Sequence, residues 1–226
     1  CGNPMASGEV EVSERIKVVR LSGRGVYDRE EIYPLLDKSF LCHVGYTING
    51  EARVLPTAYI RMGDAIYLHG HLQNQMMHAL LDGQTACISV TFMDGLVLAR
   101  TGFNHSINYR SVTVFGKAER VEDHKAEILD KFIDHIIPGR AAMVRPATPQ
   151  ALNATLLIRI PMEEAVAKVR TGEPHDKESD YDSGIWAGVI NLRTYPESVE
   201  VCPRLEADMA KPEHVEQYMA QQSLFD

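Results

Sequence analysis

The sequence predicts a mainly β fold, a closed or nearly closed antiparallel barrel with a few flanking helices. Three observations carry that prediction. Strand-like apolar runs outnumber helical ones, they are joined by hairpin signals such as Asn49-Gly50 and Met62-Gly63-Asp64 instead of crossover helices, and the glycine fingerprint of a dinucleotide-binding βαβ unit is missing.

Taken in chain order, residues 1–25 are polar and read as an N-terminal arm, with Val18, Val19 and Leu21 as a candidate edge strand. Asp28-Arg-Glu-Glu31 is a helix-capping pattern ahead of Ile32, Leu35 and Leu36. A strand over 40–46 meets Asn49-Gly50, a type I′ turn signal, and returns over 52–61. Met62-Gly63-Asp64 turns the chain again into a strand over 65–69. Leu72, Met76 and Leu80 recur at helical spacing, so a helix is expected over 72–81, stopped by Asp82-Gly83. Strands follow over 85–92 and 96–100, separated by an Asp94-Gly95 turn, and then over 108–121. Ile128, Leu129, Phe132, Ile133, Ile136 and Ile137 make one helical face, closed by Pro138-Gly139. Three more strands are expected over 156–160, 165–169 and 185–192, and a peripheral helix over 212–219. The domain reading is therefore an arm (1–25), a barrel domain (26–195) and a C-terminal extension (196–226).

The 226 residues are 45% hydrophobic and 24% charged, enough for a sizeable core. A formal net charge of -8 argues against nucleic acid as a partner, since phosphate contacts need a basic face. No apolar run is long enough to span a bilayer, and the first residues carry no signal-peptide pattern. Four cysteines without metal-ligand spacing read as free thiols, so a cytoplasmic location is expected. Cys1 reads as an added remnant, a trimmed start or a processed lipoprotein cysteine, the first being favoured because Met5 follows closely.

The candidate site centres on Tyr67-Leu-His-Gly-His-Leu-Gln-Asn-Gln-Met-Met-His78, a strand that runs through a glycine into a helix start, where unsatisfied N–H groups can seat an anion. Arg53-Val-Leu-Pro-Thr57 lies on a strand expected to pair with it. Tyr109-Arg-Ser-Val112, Lys168-Val-Arg170 and Trp186-Ala-Gly188 add cations and flat side chains, and the set suggests a flat, phosphorylated cofactor. His43 and His105 have no spacing that argues for a metal, and His78 reads as a surface residue of the helix. Asp123, Glu127, Asp130 and Asp134 follow helix spacing as a wet surface, and Glu173–Asp182 reads as a loop or lid. No Gly-x-Ser-x-Gly, His-Glu-x-x-His or P-loop motif occurs, and no protein residue is singled out as catalytic, which suits chemistry performed by a cofactor.

In this order the segments Arg53-Val-Leu-Pro56, Leu68-His-Gly70, Asp94-Gly-Leu-Val-Leu-Ala-Arg100, Asn108-Tyr-Arg-Ser-Val112, Ala167-Lys-Val-Arg-Thr-Gly172 and Trp186-Ala-Gly188 resemble the pyridoxamine 5′-phosphate oxidase-related, FMN-binding split-barrel superfamily, in its flavin-nucleotide-binding, nitroimidazole-resistance-like branch. The resemblance implies an antiparallel six-stranded FMN-binding split barrel, a homodimer with FMN between protomers, and oxidoreductase activity on a small molecule. It also implies roles. Arg53, Val54, Leu55 and Pro56 would line the isoalloxazine; His69, Gly70, His71, Asn74 and Gln75 would approach the ribityl phosphate; Tyr109, Arg110 and Ser111 would come from a neighbouring strand; and Lys168, Arg170 and Trp186 from the partner or the rim. Pyridoxamine phosphate is not expected as substrate, because the arginine- and histidine-rich tail of the true oxidases is missing. The turn after His69-Gly70 departs from the family: His71, Gln73, Asn74, Gln75 and Met76 stand where relatives carry a phosphate-binding Arg or Lys. That loss, with a second histidine gained, motivates an alternative in which haem is bound with His69 or His71 as axial ligand. A non-catalytic flavin-binding module is the third reading.

Overall fold

The computed structural model describes residues 12–226. Ahead of the barrel, residues 17–19 belong to no helix or strand and a 3-10 turn spans Ser22–Arg24, so the expected strand around Val18–Leu21 does not form; the short β1 (Gly25–Val26) follows instead. Helix α1 (Arg29–Lys38) starts where the capping pattern placed it, with the Asp28 carboxylate accepting from the Glu30 amide at 3.0 Å. Its inner face, Ile32 and Leu36, is fully buried.

β2 (Leu41–Ile48) and β3 (Glu51–Ala58) form a hairpin about Asn49 and Gly50, whose φ values of 52° and 78° are the left-handed pair that a type I′ turn requires. The chain then changes sheet at buried Tyr59, whose hydroxyl donates to the Leu36 carbonyl at 2.6 Å. β4 (Ile60–Met62) and β5 (Ala65–His71) therefore belong to a second sheet. The expected pairing of the Arg53 strand with the His69 strand is corrected: β3 pairs with β2, and β5 pairs with β4 and β9. α2 (Gln75–Leu81) begins three residues later than its apolar spacing suggests, because the Asn74 side chain accepts from the Met77 amide at 3.1 Å and caps it there; Leu72 lies outside.

β6 (Thr85–Leu98) and β7 (Ser106–Lys117) are long antiparallel neighbours. Asp94-Gly95 is not a turn, as expected from the dipeptide, but a bulge within β6, where the register shifts between Met93 and Gly95. Gly95 is needed there: a Cβ would lie 3.1 Å from the Ile190 carbonyl of β11 (Gly188–Asn191), which adds to the same stretch of β6. The strand expected over 108–121 is split, since β8 (Glu119–Arg120) leaves β7 for the second sheet. α3 (Lys125–Ile136), the one-turn α4 (Pro149–Asn153), β9 (Thr155–Pro161), β10 (Glu164–Arg170) and, in the extension, α5 (Glu213–Met219) complete the fold.

The ladder order is β1-β10-β7-β6-β2-β3 with β11 on β6, facing a four-stranded sheet β4-β5-β9-β8. Alternate residues of both sheets fill the interior, among them Val44, Ile88, Val114, Leu68 and Ile158. β9 is buried on both faces at Leu156, Leu157 and Ile158, because α3 lays Phe132 over its outer side. The barrel stays open at β3, which pairs on one side only.

The sheets cross most tightly at Gly116, where a Cβ would sit 2.0 Å from the Pro161 carbonyl oxygen, inside any tolerable contact. Gly116→Ala is expected to destabilise the chain by about 1–3 kcal/mol or more, read as a lowered urea midpoint, since backbone on both sides must move. An unchanged midpoint would contradict this crossing.

Candidate functional site

β3 is an edge strand with an unusual surface. Val54 is 64% exposed and Leu55 45%, and Pro56, tolerated because an edge strand can forgo a ladder donor, sits beside them. This edge meets the first turn of α2 and encloses a groove of about 650 Å³, lined by Tyr46, Arg53, Val54, Leu55, Asn74, Gln75 and Met76 together with Glu51 and Ala52. Gly70 makes the junction possible: a Cβ there would lie 3.1 Å from the Asn74 amide nitrogen and 3.2 Å from the Met77 methyl. The amides of Gln75 and Met76, at the start of α2, have no carbonyl within the helix to bond.

Positive charge in this groove is modest. Arg53 Nη2 donates to Glu51 Oε2 at 2.6 Å, an exposed pair on one face of the strand, two residues apart. Exposed ion pairs of this kind contribute about 0–1 kcal/mol, so a bound anion can displace Glu51 at small cost.

The other residues singled out from the sequence lie elsewhere. His69 faces the opposite side of the second sheet, under α3, its ring 4.6 Å from Phe132 and edge-on at 89°. Burial lowers its pKa below the usual 6.5 and holds the ring neutral. His71 is exposed, and its Nδ1 accepts from the Gln73 amide at 3.1 Å, which leaves the proton of the neutral ring on Nε2.

Arg110 is committed to structure: it forms a two-pronged pair with the bulged Asp94 at 2.9 Å for each contact, donates to the Phe225 carbonyl at 2.8 Å, and lies over the Phe92 ring. Phe225 in turn packs on Phe92 and Phe40, so this cluster ties the chain's last residues to the barrel. Arg170 is 6% exposed, with Asn108 and the Gly172 and Glu173 carbonyls as partners, and desolvation lowers its pKa, with the Arg24 charge acting in the same sense. Ser111 donates to the Lys168 carbonyl. Tyr109 lines a second hollow, about 660 Å³, on the outer face of β6 and β7 with Thr91, Met93, His105 and Ile107. Trp186 is 71% exposed, its ring against Gly188. The acidic stretch Glu173–Asp182 is tied down through Asp176, which accepts from the Arg100 amide and guanidinium and from Asn104.

Arg53, Val54, Leu55, Asn74 and Gln75 thus come together, with Pro56 next along β3. Two ion-pair partners of the arginines singled out, Glu51 of Arg53 and Asp94 of Arg110, were not identified as such from the sequence. Glu51 was legible as the i, i+2 neighbour of Arg53; Asp94 was not, because its dipeptide mimics a turn. Among the described residues no group of three or more His, Cys, Asp or Glu is placed to hold a metal ion, and no helix is long and apolar enough to cross a membrane.

The sequence profile of pyridoxamine 5′-phosphate oxidase matches residues 28–169, which is most of the barrel. The chain belongs to the pyridoxamine 5′-phosphate oxidase family. Within this family it is similar to the flavocytochrome Anf3 from Azotobacter vinelandii, at 39% identity and a TM-score of 0.86, over 91% of this chain and 97% of that one. It is also similar to the FAD and haem binding protein from Mycobacterium smegmatis, at 34% identity and a TM-score of 0.83, over 86% and 97%. A protein from Bacteroides thetaiotaomicron described as a candidate 5-nitroimidazole antibiotic resistance protein shares the fold at 21% identity and a TM-score of 0.54, over 64% and 87%. Among curated proteins none matches significantly. The split-barrel architecture expected from the resemblance is what the two sheets build, and the barrel is one that flavin-binding relatives share.

The buried ring of His69 gives a pH signature. Its folded pKa is below 6.5, so between that value and 6.5 the unfolded chain binds more protons and stability falls as pH drops. His69→Gln should flatten that slope in urea titrations below pH 6.5; an unaltered slope would show that the ring is not desolvated.

Proposed function

We propose that this chain is a flavin-dependent oxidoreductase in which FAD lies along the β3 edge and haem serves as a second redox group. The observation that carries the flavin half is the groove in which Arg53, Val54, Leu55, Asn74 and Gln75 converge. Val54 and Leu55 offer a flat apolar wall to an aromatic ring system, while the Gln75 and Met76 amides and the Asn74 side chain offer neutral donors at the other end.

Charge favours the dinucleotide over FMN. A terminal phosphate monoester carries about -1.5 to -2 at neutral pH, concentrated on one group, whereas a diphosphate bridge spreads one charge on each phosphorus. The groove has a single arginine, already paired with Glu51, and neutral hydrogen-bond donors, which suits the second arrangement. Similarity to a protein described as FAD and haem binding and to another described as a flavocytochrome supports both cofactors.

We infer a homodimer. The unpaired β3 edge, the hollow of Met93, Ile107 and Tyr109 on the outer sheet face, and Phe103, 94% exposed in the turn between β6 and β7, are apolar surfaces that a second copy would cover. Flavin supplies reversible two-electron chemistry that can be divided into single-electron steps. The protein's share is to hold the ring against Val54 and Leu55, compensate charge through Arg53 and exclude water at the shared face. The substrate class is a small-molecule electron acceptor, such as a nitro compound or dioxygen.

Purified protein should take up FAD more tightly than FMN, and Arg53→Ala should weaken that uptake about tenfold, as loss of one charge-assisted contact does, while Glu51→Gln strengthens it. Fluorescence quenching of the added flavin reads both. A colourless protein that binds neither flavin would overturn the proposal, and flavin uptake without turnover of any electron acceptor would reduce it to a carrier.

A further inference from the structure

Resting on the flavin reading above, we propose a nucleoside subsite: the adenosine half of FAD lies in the hollow between the tip of the β2–β3 hairpin and the exposed face of α2, with Asp82 as the acceptor for its ribose hydroxyls. The hollow has a volume of about 400 Å³, within the range of small-molecule sites, and it shares one wall, Gln75, with the β3 groove. Both follow the same hairpin. The groove takes in Tyr46 and residues 51–55, and the hollow continues with Thr47, Ile48 and Asn49. A strand advances about 3.3 Å per residue, so Leu55 and Glu51 stand about 13 Å apart with Arg53 between them. A flavin with its ring on Val54 and Leu55 and its phosphates near Arg53 therefore directs its far end at the hairpin tip.

The two regions differ in the way a dinucleotide requires. No lysine or arginine lines the hollow, so it offers no charged partner to a phosphate. It offers neutral polarity instead. The side-chain carboxamides of Asn49, Gln73 and Gln75 make no hydrogen bond among the described residues, and groups of this kind pair with the amino and ring nitrogens along one edge of adenine. Ile48 and Ala79 add apolar contact for the base. His78 donates from Nε2 to the Leu72 carbonyl at 2.6 Å, which leaves Nδ1 of the neutral ring as an acceptor. Asp82 is the one acidic residue on the lining, and its carboxylate has no ion-pair partner among the described residues. A carboxylate that accepts from ribose hydroxyls is a general device of dinucleotide sites.

The hollow is held open by one side chain. Gln84, just ahead of β6, accepts at Oε1 from the Thr47 amide at 2.8 Å and the Thr47 hydroxyl at 3.3 Å, and donates from Nε2 to the carbonyls of Thr47 at 3.0 Å and Ala79 at 2.9 Å. Hairpin and helix are thereby fastened to each other on either side of the space, and the left-handed pair Asn49 and Gly50 fixes the tip. A cleft set before the ligand arrives costs less to order on binding. The other hollows have the wrong chemistry for a nucleoside: that of Met93, Ile107 and Tyr109 is mainly apolar, and that beside the extension is apolar with Arg140 and Lys211 on its lining.

The test is fluorescence titration of the flavin-free full chain with FAD and, in parallel, with FMN, which lacks the adenosine half. Wild type should bind FAD more tightly. Asp82→Ala should weaken FAD about tenfold, as loss of a charge-assisted hydrogen bond does, with FMN affinity as in wild type, and Gln73→Ala should act in the same sense. If Asp82→Ala fails to fold, as circular dichroism would show, Asp82→Asn, which keeps the shape and removes the charge, and Gln73→Ala still decide. Equal wild-type affinity for the two flavins, FAD binding at wild-type strength in all these variants, or an equal loss for FAD and FMN would overturn the subsite and leave the flavin reading of the β3 groove intact. A chain that takes up neither flavin would overturn both.

Discussion

The open edge of β3 is the constraint from which the rest follows. A strand that pairs on one side only leaves a row of amides and carbonyls to solvent, and soluble proteins usually guard such a row with lysine or a covering element. Here the strand shows Val54 and Leu55 instead, next to Pro56. The barrel is unable to close over it because the chain leaves this sheet at Tyr59, whose hydroxyl is locked to α1. Splitting the barrel therefore creates both the apolar wall and the need for something to cover it.

A second level of order comes from where charge is spent. Arg110 and Arg170 are drawn into structural roles, one by the bulged Asp94 and the chain's last residues, the other by Asn108 and backbone carbonyls. What remains at the β3 groove is Arg53, matched by Glu51, among uncharged donors. That low charge is what the proposed FAD site rests on, and the apolar groove of the extension, with Arg140 and Lys211 on its lining, is a separate region.

Much of the barrel was legible because hairpin chemistry and strand alternation are local. Asn49-Gly50 adopts the left-handed pair it announces, and Asp28 and α3 take the places their patterns assign. What was hidden is non-local. Asp94-Gly95 satisfies every local rule for a turn, yet β11 approaches from nearly a hundred residues away and makes it a bulge. Similarly, Arg53-Val-Leu-Pro56 and Asn74-Gln75 stood out as candidate residues, but their meeting in one groove depends on β3 and β5 lying in different sheets, which no spacing within either strand encodes. His69 looked like a ligand because its motif sits at the site; strand alternation turns its ring to the other face.

Hydrogen exchange read segment by segment, with and without FAD, tests the central claim most directly, since an exposed edge strand and a helix start both exchange quickly until something bonds or shields them. The account predicts that FAD slows exchange selectively over 51–58 and 74–77. Protection confined to other segments, or no change on adding FAD at saturating concentration, would contradict it.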